Sequence, residues 1–261
     1  MLRFRKRRFG ITFEYRWFAD RPSPVSAMAA VHYMQCAAPG NPLLGFRNRR
    51  IYVRIVDLRQ DEEAILADMK PRTRTDIRKA ERDGITVKVC EDKREFLEFY
   101  NGFAASKRGH VSPLDDQVHW DDNTLVLMAV HESGTLVMNH YIVCRSSGRA
   151  RMMYSASEFR GINSSADRNR IARANRLLHF EAMRYFKHMG LKTYDFGEFA
   201  VDTDDESLQG VNRFKESFGG GNEACYKSQT LPMFLLSETI RLARTMAQHR
   251  NIGDRLRGTL R

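Results

Sequence analysis

Three short segments carry residue types that could do chemistry. In Arg72-Thr-Arg-Thr-Asp-Ile-Arg-Lys-Ala-Glu-Arg-Asp-Gly84, Arg74, Arg78 and Arg82 recur every fourth residue and would share one helix face. Such a row of guanidinium groups suits a phosphate-bearing substrate, since each can hold two oxygens at once. The same row also reads as a solvated face paired with Glu81. In Tyr194-Asp195-Phe196-Gly197-Glu198 a strand ends in an acid and a glycine. A carboxylate there can bind or deprotonate an amine, and the glycine lets a substrate approach the backbone; equally, the aspartate can simply order its own turn. In Arg213-Phe214-Lys215 followed by Phe218-Gly219-Gly220, a lysine beside two aromatic rings can lose part of its hydration. Such an ammonium can neutralise an oxyanion or grip a phosphate, although an exposed helix lysine is the plainer reading.

Missing motifs narrow the chemistry further. The sequence has no phosphate-binding G-x-x-x-x-G-K-[ST] loop, no G-x-G-x-x-G, no H-E-x-x-H and no G-x-S-x-G. Nucleotide hydrolysis, dinucleotide redox chemistry, zinc proteolysis and the usual serine hydrolase design therefore lose their main support. The eight histidines do not cluster at ligand spacings, so no metal is expected. Cys36, Cys90, Cys144 and Cys225 are far apart with no C-x-x-C pair, and read as buried, reduced thiols.

With 261 residues, 42% of them apolar, the chain can bury a sizeable core as one large domain or two small ones. Its longest unbroken apolar run is Leu125 to Val130, far short of the roughly 20 residues that span a bilayer. No apolar stretch suggests a signal peptide at the start, and the expected location is cytoplasmic, at most peripheral on the inner face of a membrane. The net charge of +11 is unevenly spread: residues 1–60 hold 12 Lys/Arg against 3 Asp/Glu, and residues 238–261 hold 6 against 2. Basic ends on a near-neutral body suit phosphates, an acidic partner or an anionic membrane.

The elements that must position the three segments follow from periodicity. Residues 10–18 alternate as a short strand, and the proline-bearing stretch 19–49 reads as irregular. Ile51 to Leu58 is a strand, followed by a helix from Asp61 to about Met69 and, after Pro71, a second helix over 72–83. A strand over 85–89 leads to a helix capped by Asp92 that runs to about Lys107. Three runs, 124–132, 136–145 and 150–156, form an antiparallel meander. A long helix over about 169–189 buries Ile171, Ala174, Leu178, Ala182, Tyr185 and Met189, and Gly190 ends it. A strand over 191–196, a short helix around 211–217, a strand over 223–230 and a basic C-terminal helix complete the chain. This order gives an α+β fold with a mixed sheet and excludes a Rossmann or TIM alternation.

The ordered set of segments resembles the FemABX-like (peptidoglycan-bridge aminoacyltransferase-like) branch of the GNAT acyltransferase superfamily. The resemblance is carried by the helix Arg74–Gly84, the long helix with Asn175 and Leu178, the Tyr194-Asp195-Phe196-Gly197 strand end, and Phe214-Lys215 before Phe218-Gly219-Gly220. It implies a GNAT-like, mostly antiparallel twisted sheet flanked by helices. The chain would comprise a basic N-terminal arm or incomplete lobe (1–50), an acyltransferase domain (51–231) and a basic C-terminal helix (232–261). The implied reaction joins an activated acyl group, from acyl-CoA or aminoacyl-tRNA, to an amine such as that of an amino sugar or cell-envelope precursor. By the same resemblance Lys215 stabilises the leaving group or oxyanion; the acceptor amine must be neutral to attack, so Asp195, Glu198 or a water held by them is the candidate base, and Tyr154 a candidate acid. Donor and substrate contacts would come from Arg74, Arg78, Phe196, Gly197, Phe214, Arg160, Arg170, Arg173 and Asn175. The sequence departs from the pattern in lacking a helical hairpin insertion and the Gln/Arg-x-x-Gly-x-Gly/Ala pyrophosphate loop. The competing expectation is a non-catalytic protein that binds nucleic acid or an anionic membrane on a degenerate GNAT scaffold.

Overall fold

A computed structural model describes residues 1–8, 10–107, 111–115, 118–158 and 164–241. Its elements, in chain order, are β1 (Leu2–Arg8), β2 (Ile11–Trp17), β3 (Val31–Cys36), β4 (Arg47–Asp57), α1 (Glu62–Asp68), α2 (Pro71–Arg82), β5 (Thr86–Val89), α3 (Lys93–Ser106), β6 (Thr124–His131), β7 (Gly134–Cys144), β8 (Arg149–Ser157), α4 (Ser165–His188), β9 (Thr193–Phe199), α5 (Glu206–Glu216) and β10 (Gly221–Gln229). Residues 231–241 are helical as well. The chain divides into two compact units, one of Met1–Ile51 with Ala224–Arg261 and the other of Tyr52–Glu223.

In the first unit β1 and β2 pair antiparallel from Leu2↔Trp17 to Arg8↔Ile11. Period-two alternation puts Arg3, Arg5 and Arg7 in solvent, while Leu2 is buried. Arg3, Arg5 and Arg7 thus form one face of a strand, and Leu2, Phe4 and Lys6 the other. Parallel pairing joins β2 to β3, and β3 pairs antiparallel with β10 through Cys36↔Tyr226 and Tyr33↔Ser228. Val31, Tyr33, Cys36, Ala19 and Phe46 form the core of this unit. The stretch expected to be irregular therefore contains a buried strand, β3.

The second unit is a mixed, mostly antiparallel sheet in the order β4-β9-β8-β7-β6-β5. Only β8 and β9, among its described strands, run parallel. Helices α1, α2 and α4 bury their apolar faces in one core with Val56, Leu127, Ala129, Ala150, Tyr194 and Phe196. The other sheet face carries α3, whose Phe96, Leu97, Tyr100 and Ala104 pack with Val126, Met128, Met138 and Ala156. On β6 the odd residues Leu127 and Ala129 thus serve one core and the even residues Val126 and Met128 the other. The α+β class and helix-flanked sheet agree with the sequence.

Caps define the helices as their sequences suggest. Asp61, Asp92, Ser164 and Asp205 each accept a backbone N–H at a helix start, and Gly84 and Gly190 follow α2 and α4 with φ of +75° and +78°. The core stripe of α4 runs through Ile171, Ala174, Leu178, Ala182, Met183 and Phe186, whereas Tyr185 is 38% exposed. A stripe of period 3.6 drifts around the helix, so by its last turn position 186, not 185, faces inward. All four cysteines are buried, and no disulfide joins them.

Candidate active site

The ladder between β8 and β9 is short. It pairs Arg149 with Thr193, Ala150 with Tyr194 and Arg151 with Asp195, and there it ends. Past that point each strand bulges against its other neighbour. On β8 the register shifts so that Tyr141 opposes Met152 and His140 opposes Tyr154. On β9, Asp195 opposes Ile55 and Glu198 opposes Val53, leaving Phe196 and Gly197 opposite Arg54 alone. Two bulges re-aim the strands where they part.

Gly197 makes the second bulge possible. Its φ is +83°, a region costly for other residues, and its N–H donates to Asp195 Oδ1 at 2.6 Å. A Cβ at this position would stand 3.2 Å from Arg151 Nη2, so the missing side chain also makes room for that guanidinium. Asp195 is fully buried, with Oδ2 3.5 Å from Arg149 Nη1, and Arg149 Nη2 reaches Glu223 at 2.6 Å. Arg151, itself buried, donates Nη1 to the Met152 carbonyl at 3.2 Å. The turn-ordering reading of Asp195 is thus realised, inside a cationic surrounding.

Lys215 reaches this place from α5. Its ammonium donates to the Glu198 carbonyl at 2.5 Å, and the residue as a whole is 7% exposed. Burial, reinforced by the Arg151 charge, pulls its pKa down from 10.5 to about 8, while Asp195 and Glu198 pull the other way. The following turn is fastened tightly. Gly220 N–H donates to Asp68 Oδ2 at 2.6 Å, and Arg54 Nη2 donates to the Gly219 carbonyl at 2.7 Å. A Cβ on Gly219 would collide with the Asp68 carboxylate, and one on Gly220 with the Ile55 carbonyl.

Behind the lysine, the rings of Phe196, Phe214 and Phe218 surround His179, with centroids 5.0, 5.5 and 5.2 Å away. His179 Nδ1 is 2.6 Å from Tyr194 Oη, which is 3.1 Å from Tyr141 Oη, and Asn139 Nδ2 donates to Tyr141 at 3.2 Å. Burial, then the charges of Lys215 and Arg176, push His179 down to about 3. Its ring is neutral at physiological pH.

Of the residues singled out in sequence, Lys215, Asp195, Glu198, Gly197, Phe196 and Phe214 come together. Arg74 does not join them: its guanidinium donates to the Met69 and Ala67 carbonyls at the end of α1. Arg78 is exposed on α2. Arg170 pairs with Asp167 at 3.2 Å, and Arg173 with Asp83 at 2.7 Å, tying α4 to α2. Asn175 is half-buried on α4, with no hydrogen bond to its Oδ1. Tyr154 packs its ring against Tyr100 and His140, both at 5.5 Å. Arg160 lies outside the described residues.

Arg149, Arg151 and His179 were not anticipated. The signal for the first two was present as arginines alternating through the apolar run Arg-Ala-Arg-Met-Met-Tyr, and for His179 as one imidazole between Leu178 and Phe180. Among the described residues no three metal-ligating side chains converge, and no helix is long and apolar enough to cross a membrane.

No protein-family model matches the chain, and no curated protein matches it in sequence. Solved structures do match. A crystal structure of FemX overlaps with a TM-score of 0.58 at 13% identity, covering 89% of this chain and 85% of that one. L-PGS from Bacillus licheniformis overlaps with a TM-score of 0.51 at 14% identity, covering 80% of this chain and 72% of that one. The chain therefore shares its fold with FemX and with L-PGS, as expected from the resemblance of its sequence.

Proposed function

We propose that the protein is an acyltransferase that moves an acyl group from an activated, phosphate-bearing carrier to an amine, at the parting of β8 and β9. The buried ammonium of Lys215 carries this reading. A cation held out of water is most effective where negative charge develops, because no solvent must reorganise around it. In this reading the amine nitrogen attacks the acyl carbonyl, and Lys215, backed by Arg151, stabilises the charge on the oxyanion and then on the departing thiolate or ribose oxygen. The amine's proton passes to Glu198, half-buried one residue past the bulge. Asp195 is a positioning residue, since one oxygen already accepts from Gly197 and the other faces Arg149. Tyr154 takes no step here.

Acyl-CoA and aminoacyl-tRNA share the required carrier chemistry, and an amino sugar or cell-envelope precursor supplies a suitable amine. The test is the thermal midpoint of the protein with acetyl-CoA, CoA or aminoacyl-tRNA added separately. A carrier at about a hundredfold its dissociation constant adds about 2.7 kcal/mol to stability. A shift with one carrier identifies the donor. With no shift from any of them at saturating concentration, the acyltransferase reading fails and the binding-protein alternative stands.

A further inference from the structure

Turns of the first unit hold apolar side chains far out in solvent. Val25, Met28 and Leu43 are 93%, 90% and 93% exposed, and Leu44, Leu231 and Leu235 are exposed too. A single exposed leucine needs no explanation, but these residues gather around the start of one helix. Thr230, just before helix 231–241, donates Oγ1 to the Ala29 carbonyl at 2.6 Å and so holds the turn bearing Val25 and Met28. Gly45 closes the turn bearing Leu43 and Leu44, and a Cβ on it would stand 3.4 Å from Leu231 Cβ. Leu235 follows Leu231 by one helical turn, and the Arg47 guanidinium lies 3.8 Å from the centre of the intervening Phe234 ring.

The stretch of chain that forms these turns carries charge of one sign only. From Arg21 to Ile51 the chain has no aspartate or glutamate, while it carries Arg21, Arg47, Arg49 and Arg50. On the helix, Glu238 pairs with Arg241 at 2.6 Å.

We propose that this end of the first unit docks on an anionic lipid bilayer, with Leu43, Leu44 and Leu235 entering the headgroup region and the arginines meeting lipid phosphates. Apolar side chains beside cationic ones are the combination that anionic interfaces bind, through buried apolar area plus attraction to charged headgroups. Leucines on projecting turns form wedges that a bilayer can close around. A nucleic acid would use the arginines and leave the leucines in water. This inference does not depend on the acyl-transfer reading.

The test is cosedimentation of the full chain with vesicles of phosphatidylcholine alone and of phosphatidylcholine containing one third phosphatidylglycerol. Wild type should sediment with the anionic vesicles and not with the neutral ones. The triple variant Leu43→Ser, Leu44→Ser, Leu235→Ser should lose about tenfold or more of its partitioning. Its thermal midpoint should fall by no more than a few degrees, because Leu43 is 93% exposed and Leu44 and Leu235 are 42% and 54% exposed. Failure of wild type to sediment overturns the proposal. So does equal binding by the triple variant, which would leave charge alone as the cause and single-stranded RNA as the better probe. Conversion of a wild-type dimer to a monomer by the same changes, measured by light scattering, would assign the leucines to a second copy instead.

Discussion

Lys215→Met should make the protein more stable at neutral pH while abolishing its turnover. The folded chain holds this lysine at a pKa of about 8 against an ordinary 10.5, which corresponds to about 3 kcal/mol of unfavourable free energy for keeping the charged form. Methionine has similar length and no charge, so the substitution removes that cost. It also removes the donor to the Glu198 carbonyl, which returns about 1–2 kcal/mol of instability. The net gain is then about 1–2 kcal/mol at pH 7. The folded value lies below the unfolded one, so the penalty is complete below pH 8 and is relieved as pH rises from about 8 towards 10.5. By pH 10 the lost hydrogen bond outweighs what remains of the charge penalty, and the order of stability reverses or nearly so. Urea denaturation of both proteins at pH 7 and pH 10 reads the difference directly, since all other titrating groups are common to the two. A variant less stable than wild type at pH 7, or a difference that does not change with pH, would refute the reasoning. A cost retained at one buried ammonium is expected where function needs the charge.

Other perturbations test the surroundings of that lysine. Gly220→Ala should cost about 3 kcal/mol or more, because its φ of +75° and the Ile55 carbonyl both oppose a Cβ; a melting midpoint within a degree of wild type would contradict this. Tyr194→Phe removes the hydroxyl that joins His179 to Tyr141 and should destabilise by about 2–3 kcal/mol through the groups left unpaired, as measured by urea titration. Arg74→Ala should cost about 1 kcal/mol by uncovering carbonyls at the end of α1 and should leave carrier-induced thermal shifts unchanged. A lost shift would return Arg74 to the substrate.

The sequence displayed the second unit better than the first, for physical reasons. Its helices have caps and period-3.6 stripes, and its meander strands have glycine turns, so each element announces both its kind and its ends. In the first unit, β1 alternates Leu2 and Phe4 with Arg3, Arg5 and Arg7, but the density of charge hides the alternation. Strand β3 lies between Pro22, Pro24, Pro39 and Pro42, whose turns mask a six-residue strand. At the site, a lysine between phenylalanines and an acid beside a glycine were visible as local chemistry. Which arginines would converge on them was not, because Arg151 is brought in by a three-pair parallel ladder, a contact across more than 40 residues of chain. Arg74 shows the opposite limit: its spacing fitted a ligand row, yet one turn of backbone carbonyls lay nearer.

Every thiol in this chain is shut away from solvent, and each compact unit owns two of them: Cys36 and Cys225 in one, Cys90 and Cys144 in the other. Burial also raises Cys36 to about 12 and Cys90 to about 11, so their reactive thiolates are scarce as well as hidden, whereas at Cys144 burial is outweighed by hydrogen bonds with Ser146 and Ser147, which lower it. Alkylation must therefore wait for the backbone to open. Mass spectrometry of peptides labelled over time would clock the loosening of each half separately, without adding a probe or changing a residue.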